Sequence, residues 1–325
     1  MPAHGSGLTA TRMENPMAIL FQCPWDNAPD WISLLRARLA GRELRIHPNL
    51  GAPEDIAVAL VWKPPAGLLA DLPNLRLVQS LGAGVDFLLE SGEVPSGVPV
   101  ARLVDPVMAT RMAEYVLAAV LRVERRFDAY ARQQAEGLWR RLPQRDAPDV
   151  RVGIMGSGVL GARAAQVLSR HGFRVATWSR TTKDLPGIES FAGPEGLAPF
   201  LGRSDHLVCL LPLTDATRGL LDARTLGLLP KGAQVVNCAR GTHVVDADLL
   251  RLLDEGHLAA ATLDVFVEEP LPPDHPFWHH PKVFVTPHVS SITEPDTAVA
   301  QIAENVERLA RGAPLINLVD RATGY

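Results

Sequence analysis

The chain has 325 residues, of which 47% are hydrophobic and 21% charged, and its formal net charge is −4. That length exceeds one ordinary core and suits two domains. The charge leaves no basic footprint for nucleic acid or an anionic membrane, and no apolar run approaches the ~20 residues of a membrane span.

Residues 1–16 are polar, include Gly5, Ser6 and Gly7, and lack the apolar stretch of a signal peptide, so they read as a disordered leader. Short apolar runs then alternate with helical patterns. Strands are expected at 18–22, 57–62, 75–80 and 100–104, with a helix at 30–39. Alternation of this kind indicates a parallel sheet with helices on both faces. A long helical segment follows at 107–134, apolar in front and Arg-rich behind, and then a polar, proline-containing linker at 144–149. A second alternating series begins at Val150, with strands expected at 150–154, 173–178, 207–211, 234–239, 260–266 and 283–286. Six such strands match the doubly wound sheet of dinucleotide-binding proteins. A last helix, 294–310, returns to the first domain. The expected division is 17–104 with 289–325, and 105–288.

Cys23, Cys209 and Cys238 are far apart and odd in number, which indicates neither a disulfide framework nor a zinc site and fits a reducing cytoplasm. His275, His279 and His280 lie close together, but Pro276 and Pro281 interrupt the helix that would align them, so no metal is expected.

The chemistry begins at residues 151–161, RVGIMGSGVLG, an apolar strand running into GxGxxG and a helix. Gly156 permits the tight turn, Gly158 lets backbone amides approach a pyrophosphate, and Gly161 lets helix and strand pack closely. A purely structural glycine turn is the alternative. At the end of the next strand an NAD site usually carries Asp or Glu for the ribose 2′-hydroxyl. Here Ser179, Arg180 and Thr181 are followed by Thr182 and Lys183, with no carboxylate before Asp184. Two cations and several hydroxyls suit a 2′-phosphate, so NADP is expected over NAD, unless the segment is a solvated loop.

Three later strand ends carry ionisable groups: residues 237–241 with Arg240, 264–272 with the pair Glu268 and Glu269, and 286–288 with His288. Each alone reads as a surface or structural residue. Together they fall where open α/β sheets bind ligands.

With these motifs, and with residues 60–65 (LVWKPP), 81–86 (LGAGVD) and 319–325 (VDRATGY), the sequence resembles the D-isomer-specific 2-hydroxyacid dehydrogenases from about Ala18 to Tyr325, and within them the glyoxylate/hydroxypyruvate reductase A branch. The resemblance implies an α/β fold of two doubly wound parallel-sheet domains, a Rossmann NAD(P)-binding domain and a discontinuous flavodoxin-like substrate domain. It implies NADPH-dependent reduction of small 2-oxo acids (glyoxylate, hydroxypyruvate) to glycolate and D-glycerate. Arg240 would grip the substrate, His288 would be the general acid/base, and Glu269, directly before Pro270, would orient it. The implied cofactor contacts are Gly156, Ser157, Gly158, Val159, Leu160 and Gly161, then Ser179, Arg180 and Thr181, then Leu211, Pro212, Cys238, Ala239 and Asp264. The last would accept a hydrogen bond from the carboxamide. Trp62, Leu81, Gly82, Ala83 and Gly84 would meet the substrate, although Trp62 at a strand end also reads as a core aromatic. A homodimer, its contacts drawn from 107–143, is implied as well. A dehydrogenase for a larger 2-oxo acid, and a nucleotide-sensing regulator with this fold, remain alternatives.

Overall fold

The computed structural model describes residues 17–325; the expected leader, 1–16, lies outside the described residues. The chain divides into two compact units, one of residues up to Leu103 with Ala298–Val319, the other of Val104–Thr297 with Asp320–Tyr325.

The first unit runs through β1 (Ala18–Gln22), α1 (Ala28–Arg38), β2 (Leu44–Ile46), β3 (Ile56–Val61), β4 (Leu77–Ser80), α2 (Asp86–Glu90) and β5 (Val100–Ala101). Its five strands are all parallel, in the order β2-β1-β3-β4-β5. This is the flavodoxin-like order. Every residue of β1, β3 and β4 is buried, as strands covered on both faces require. The sequence pattern does not mark β2, a half-buried edge strand of three residues.

The second unit contains α3 (Pro106–Glu124), α4 (Phe127–Ala135), β6 (Arg151–Met155), α5 (Val159–Arg170), β7 (Arg174–Ser179), β8 (Glu189–Ala192), α6 (Gly193–Gly202), β9 (His206–Cys209), α7 (Ala223–Leu226), β10 (Ala233–Asn237), α8 (Asp246–Asp254), β11 (Leu258–Leu263), β12 (Val283–Val285) and the first turn of α9 (Pro295–Ala310). The strand order is β12-β11-β10-β9-β6-β7-β8, again all parallel. There are seven strands rather than the expected six, because β8 adds an edge strand whose Glu189 is exposed. One face of the sheet is covered by α3 and α5 through Met112, Val116, Val120, Ala164 and Leu168. The other is filled by Phe200, Leu201, Leu249, Leu253 and Phe277.

Two expectations need correction. The helical segment expected over 107–134 is two helices, broken where Arg126 takes a left-handed φ of 59°. The second crossing falls at Thr297, inside α9, rather than after His288. Residues 289–297 stay with the second unit because they bond to the start of α3: Ser291 Oγ donates to Met108 O at 2.8 Å, Arg111 pairs with Glu294 at 2.5 Å, and Thr297 Oγ1 donates to Asp105. Beyond that point α9 belongs to the first unit, where the buried amide of Asn305 donates to Gln79 Oε1 at 3.0 Å. A third crossing, which the sequence did not indicate, returns residues 320–325 to the second unit.

At the amino edge of the second sheet, Glu124 ends α3 almost fully buried. It accepts hydrogen bonds from His206 Nε2 at 2.6 Å and from Arg145 Nη2 at 2.6 Å and Nε at 3.1 Å. Burial raises the Glu124 carboxyl, but the His206 and Arg145 hydrogen bonds outweigh it and hold the group at about 2, against an ordinary 4.5. A carboxyl depressed in the folded state stabilises the fold above its unfolded value and loses that contribution as pH falls toward the folded one. Glu124→Gln is therefore expected to lower stability at neutral pH by about 1.5–3 kcal/mol, the worth of a hydrogen bond to a charged group. In urea denaturation the gap to wild type should close as pH falls from about 4.5 to about 2. A gap independent of pH would show that the charge contributes nothing.

Candidate active site

The turn between β6 and α5 carries the GxGxxG residues. Gly156 has φ +100°, and a Cβ there would lie 2.6 Å from the carbonyl oxygen of Leu210. A Cβ on Gly161 would lie 1.8 Å from the oxygen of Gly156. Both glycines are thus demanded by the protein's own backbone. Gly158 differs: a Cβ there would meet nothing within 4 Å. The open space lies at the N-cap of a twelve-residue helix with no side-chain cap, where free amides and the helix dipole favour an anion. Val159 and Leu160 open α5, with Val159 48% exposed. A dinucleotide pyrophosphate fits this turn.

The two loops flanking the turn follow β7 and β9, the neighbours of β6. Ser157 and Ser179 share a hydrogen bond of 2.6 Å, and Ser179 Oγ also donates to Thr181 O at 2.8 Å. The Ser157 hydroxyl thereby locks the glycine turn to the end of β7. Arg180 and Thr181 are exposed. After β9, Leu211 is buried, and the carbonyl of Pro212 accepts from Thr217 Oγ1 at 2.8 Å and from His243 Nε2 at 3.3 Å.

β10 delivers Cys238, Ala239 and Arg240. The first two are buried, and burial pushes the Cys238 thiol well above its ordinary value, so it behaves as a small apolar group. Arg240 bends back, Nη1 donating to Ala239 O at 2.7 Å, while its backbone carbonyl accepts from Asn237 Nδ2 at 2.8 Å. The fully buried His243 supports the same backbone, accepting from Arg240 N at 3.2 Å. Gly241 is pressed against the next loop: a Cβ there would lie 2.0 Å from Phe266 C. The loops after β10 and β11 therefore pack backbone to backbone.

β12 leads into His288, whose φ is 55°, and Nδ1 of its half-exposed ring lies 3.0 Å from Glu269 Oε2. A carboxylate only accepts, so Nδ1 carries hydrogen and Nε2 is the ring atom left for other work. Glu269 is itself fixed, because its Oε1 accepts from Phe266 N at 3.1 Å. Of the adjacent pair, Glu269 and not Glu268 makes these contacts.

Asp264 stands behind this pair with no solvent exposure. Its Oδ1 accepts from Thr286 Oγ1 at 2.6 Å and Val289 N at 2.8 Å, and its Oδ2 from Ser290 N at 2.8 Å. Its backbone carbonyl accepts from His288 N at 2.8 Å. Thr286 spends its proton on the carboxylate, so the 2.6 Å contact from Tyr115 must be a donation to Thr286 Oγ1. Asp264, expected as a carboxamide acceptor, thus already holds three internal donors and anchors the segment bearing His288. Motif reading missed Tyr115, Asn237 and His243. Tyr115 shows in sequence only as a hydroxyl within an apolar helix, and Asn237 and His243 lie in the motif around Arg240 with no local sign of their supporting roles.

In the first unit, Trp62 follows β3 and packs on Trp25 (5.3 Å between centroids) and Phe87 (5.0 Å). Its ring fills the place of a side chain on Gly82, where a Cβ would lie 2.4 Å away. Ser80 Oγ accepts from Gly82 N at 3.2 Å and donates to Gly84 O at 2.9 Å, shaping the turn 81–84. Among the described residues no group of three or more His, Cys, Asp or Glu side chains could hold a metal ion. His275 and His280 face Asp246 and Asp254 separately, at 3.5 and 3.2 Å.

A family profile described as the D-isomer specific 2-hydroxyacid dehydrogenase NAD-binding domain matches residues 117–290. The chain belongs to this dehydrogenase family. Glyoxylate/hydroxypyruvate reductase A of Serratia proteamaculans is 46% identical over 315 residues, covering 95% of this chain and all of the relative. The protein of that name from Yersinia enterocolitica is 42% identical over 314 residues, with the same coverage. Among solved structures, a family member from Xanthobacter autotrophicus Py2 in complex with NADPH and MES has a TM-score of 0.91 at 47% identity. The NADPH-dependent glyoxylate/hydroxypyruvate reductase of Sinorhizobium meliloti, in complex with NADP and sulfate, has 0.90 at 37%. Both cover 95% of this chain and 100% of their own.

For this family member the buried carboxylate can be tested apart from turnover. Asp264→Asn turns one acceptor oxygen into an NH2 that faces donors, leaving at least one unmatched. It is expected to cost about 1–3 kcal/mol in urea denaturation. Wild-type stability would remove Asp264 from its anchoring role.

Proposed function

We propose that this chain reduces small 2-oxo acids such as glyoxylate and hydroxypyruvate to glycolate and D-glycerate, with NADPH as the preferred reductant. The observation that carries the reading is the 3.0 Å contact between His288 Nδ1 and Glu269 Oε2, at the same carboxyl edge of one sheet as a dinucleotide-type turn. The names of the relatives and the cofactors in their structures support it. The nicotinamide, when bound, supplies the hydride that reduces the carbonyl carbon.

The chain's own groups do the rest. Arg240 grips the substrate carboxylate and 2-oxo oxygen through charge-assisted hydrogen bonds, which a chain of net charge −4 must provide locally. His288 donates the Nε2 proton to the carbonyl oxygen as the carbon is reduced, and recovers it in the reverse direction. Glu269 keeps the imidazole in register. Arg180, with Ser179 and Thr181, takes the 2′-phosphate. Gly156, Ser157, Gly158, Val159, Leu160 and Gly161 line the pyrophosphate; Leu211, Pro212, Cys238 and Ala239 line the rest of the cofactor, and Asp264 backs it. The turn 81–84 is assigned to the substrate carboxylate and Trp62 to its side chain.

Initial rates across a panel of 2-oxo acids with both cofactors test the reading, which predicts turnover of glyoxylate and hydroxypyruvate with NADPH. His288→Ala is expected to lower kcat by ~10²–10⁴, the usual range for a lost acid/base, with NADPH affinity little changed. Wild-type turnover in that variant would take His288 out of its role.

The chain is further proposed to act as a homodimer in the cytoplasm. The three cysteines are free, and no helix of the described residues is long and apolar enough to cross a membrane. Phe127, Leu138 and Trp139 are 60%, 44% and 96% exposed on one short stretch, the kind of apolar surface that a partner covers. Light scattering should return twice the 35.2 kDa of one chain; a single-chain mass would contradict the dimer.

A further inference from the structure

Arg180 stands exposed just beyond β7, and its guanidinium carbon lies 5.4 Å from the centroid of the Tyr325 ring. That is within cation–π range. It has no hydrogen bond or ion pair with any described residue. Arg122, over Phe284 at 3.6 Å, contrasts with it, since its Nε is already committed to Asp128 at 2.7 Å. A cation–π contact fixes a guanidinium without an oxygen acceptor, so its N–H donors remain for a ligand. Arg180 is therefore held without spending the donors that a phosphate needs.

Tyr325 reaches this place through a built turn. Asp320 O accepts from Gly324 N at 2.9 Å and from Thr323 N at 3.2 Å, and Asp320 Oδ1 from Ala322 N at 2.9 Å. Gly324 then adopts φ +85°, and its Cβ position lies 3.1 Å from Thr214 Cγ2. Thr214 is itself tied down, its N–H donating to Thr217 Oγ1 at 2.9 Å. Segment 320–325 thus touches both loops that flank the glycine turn, the one after β7 through Arg180 and the one after β9 through Thr214.

We propose that Tyr325 is a positioning residue for the 2′-phosphate, holding the Arg180 guanidinium against its ring so that the N–H donors are ready for the ligand. Selectivity for NADPH over NADH then depends on a side chain about 145 positions away in sequence from the loop that reads the phosphate. This rests on the assignment of NADPH and Arg180 made above.

Calorimetric Kd values for NADPH and NADH separate the two ideas. Arg180→Ala should weaken NADPH about 10- to 150-fold and leave NADH nearly unchanged. Tyr325→Ala should weaken NADPH alone by about 2- to 5-fold, the worth of an exposed cation–π contact. Tyr325→Phe should bind as wild type, and Tyr325→Ala should add nothing once Arg180 is alanine. Unchanged NADPH binding in Tyr325→Ala, or equal weakening of both cofactors, would overturn the positioning role and leave Arg180 in place. Equal weakening of both cofactors by Arg180→Ala would overturn the NADPH assignment itself. Tyr325 is 37% exposed, so these variants are expected to fold, and a melting curve checks that they do.

Discussion

A carboxylate that has lost all contact with water must find donors inside the protein, and Asp264 finds them in the segment that carries His288. The bonds run from the end of β11 to residues 286–290, so the next strand's loop is pinned to this one. Holding a non-glycine residue in the left-handed region costs about 1–2 kcal/mol. Each hydrogen bond to a charged group returns about 1.5–3 kcal/mol, and Asp264 accepts three. The balance favours His288 at φ 55°, the backbone setting that carries its ring to Glu269. Glu269 then decides which ring nitrogen is engaged. Two carboxylates therefore divide the work, one placing the backbone and the other turning the imidazole.

The cofactor side follows a similar division between what the protein requires and what it leaves open. Gly156 and Gly161 have no room for a side chain, for reasons internal to the fold. Gly158 has room and no internal reason, so the open space beside it is what the fold offers to a ligand. Arg180 follows the same logic, since it is met by a ring and not by a carboxylate. In a chain of net charge −4 an anionic cofactor gains nothing from the overall field. Local donors, helix amides and one well-held guanidinium have to suffice.

The inner strands of both sheets were legible because β1, β3, β9 and β10 are buried along their whole length and read as continuous apolar or near-apolar runs. The strands that escaped notice, β2 and β8, lie at sheet edges where exposed residues dilute the pattern. The break at Arg126 also left no mark, because neither a glycine nor a proline interrupts the segment there. At the site, the glycine turn could be read because its geometry depends on neighbours in sequence. The pairing of His288 with Glu269 followed from a family likeness and not from spacing. The donors to Asp264 and the seat of Tyr325 depend on contacts across 22 to 145 positions, and no local pattern encodes those.

A parallel sheet has two unlike edges, and the second unit uses them differently. At the carboxyl edge, backbone amides and side chains stay available around Gly158, Arg180 and His288, which limits how much they can contribute to holding the fold. At the amino edge, Glu124, His206 and Arg145 are consumed by one another, with the Glu124 carboxyl held at about 2. Buried charge is tolerable there because the Glu124 carboxylate is met by both His206 and Arg145. At the carboxyl edge the buried carboxylate of Asp264 is met by backbone amides and a hydroxyl instead, which takes up no guanidinium that an anionic ligand has to find. The carboxyl edge thus keeps its cations available by satisfying its buried carboxylate from neutral donors, whereas the amino edge spends its cations on Glu124.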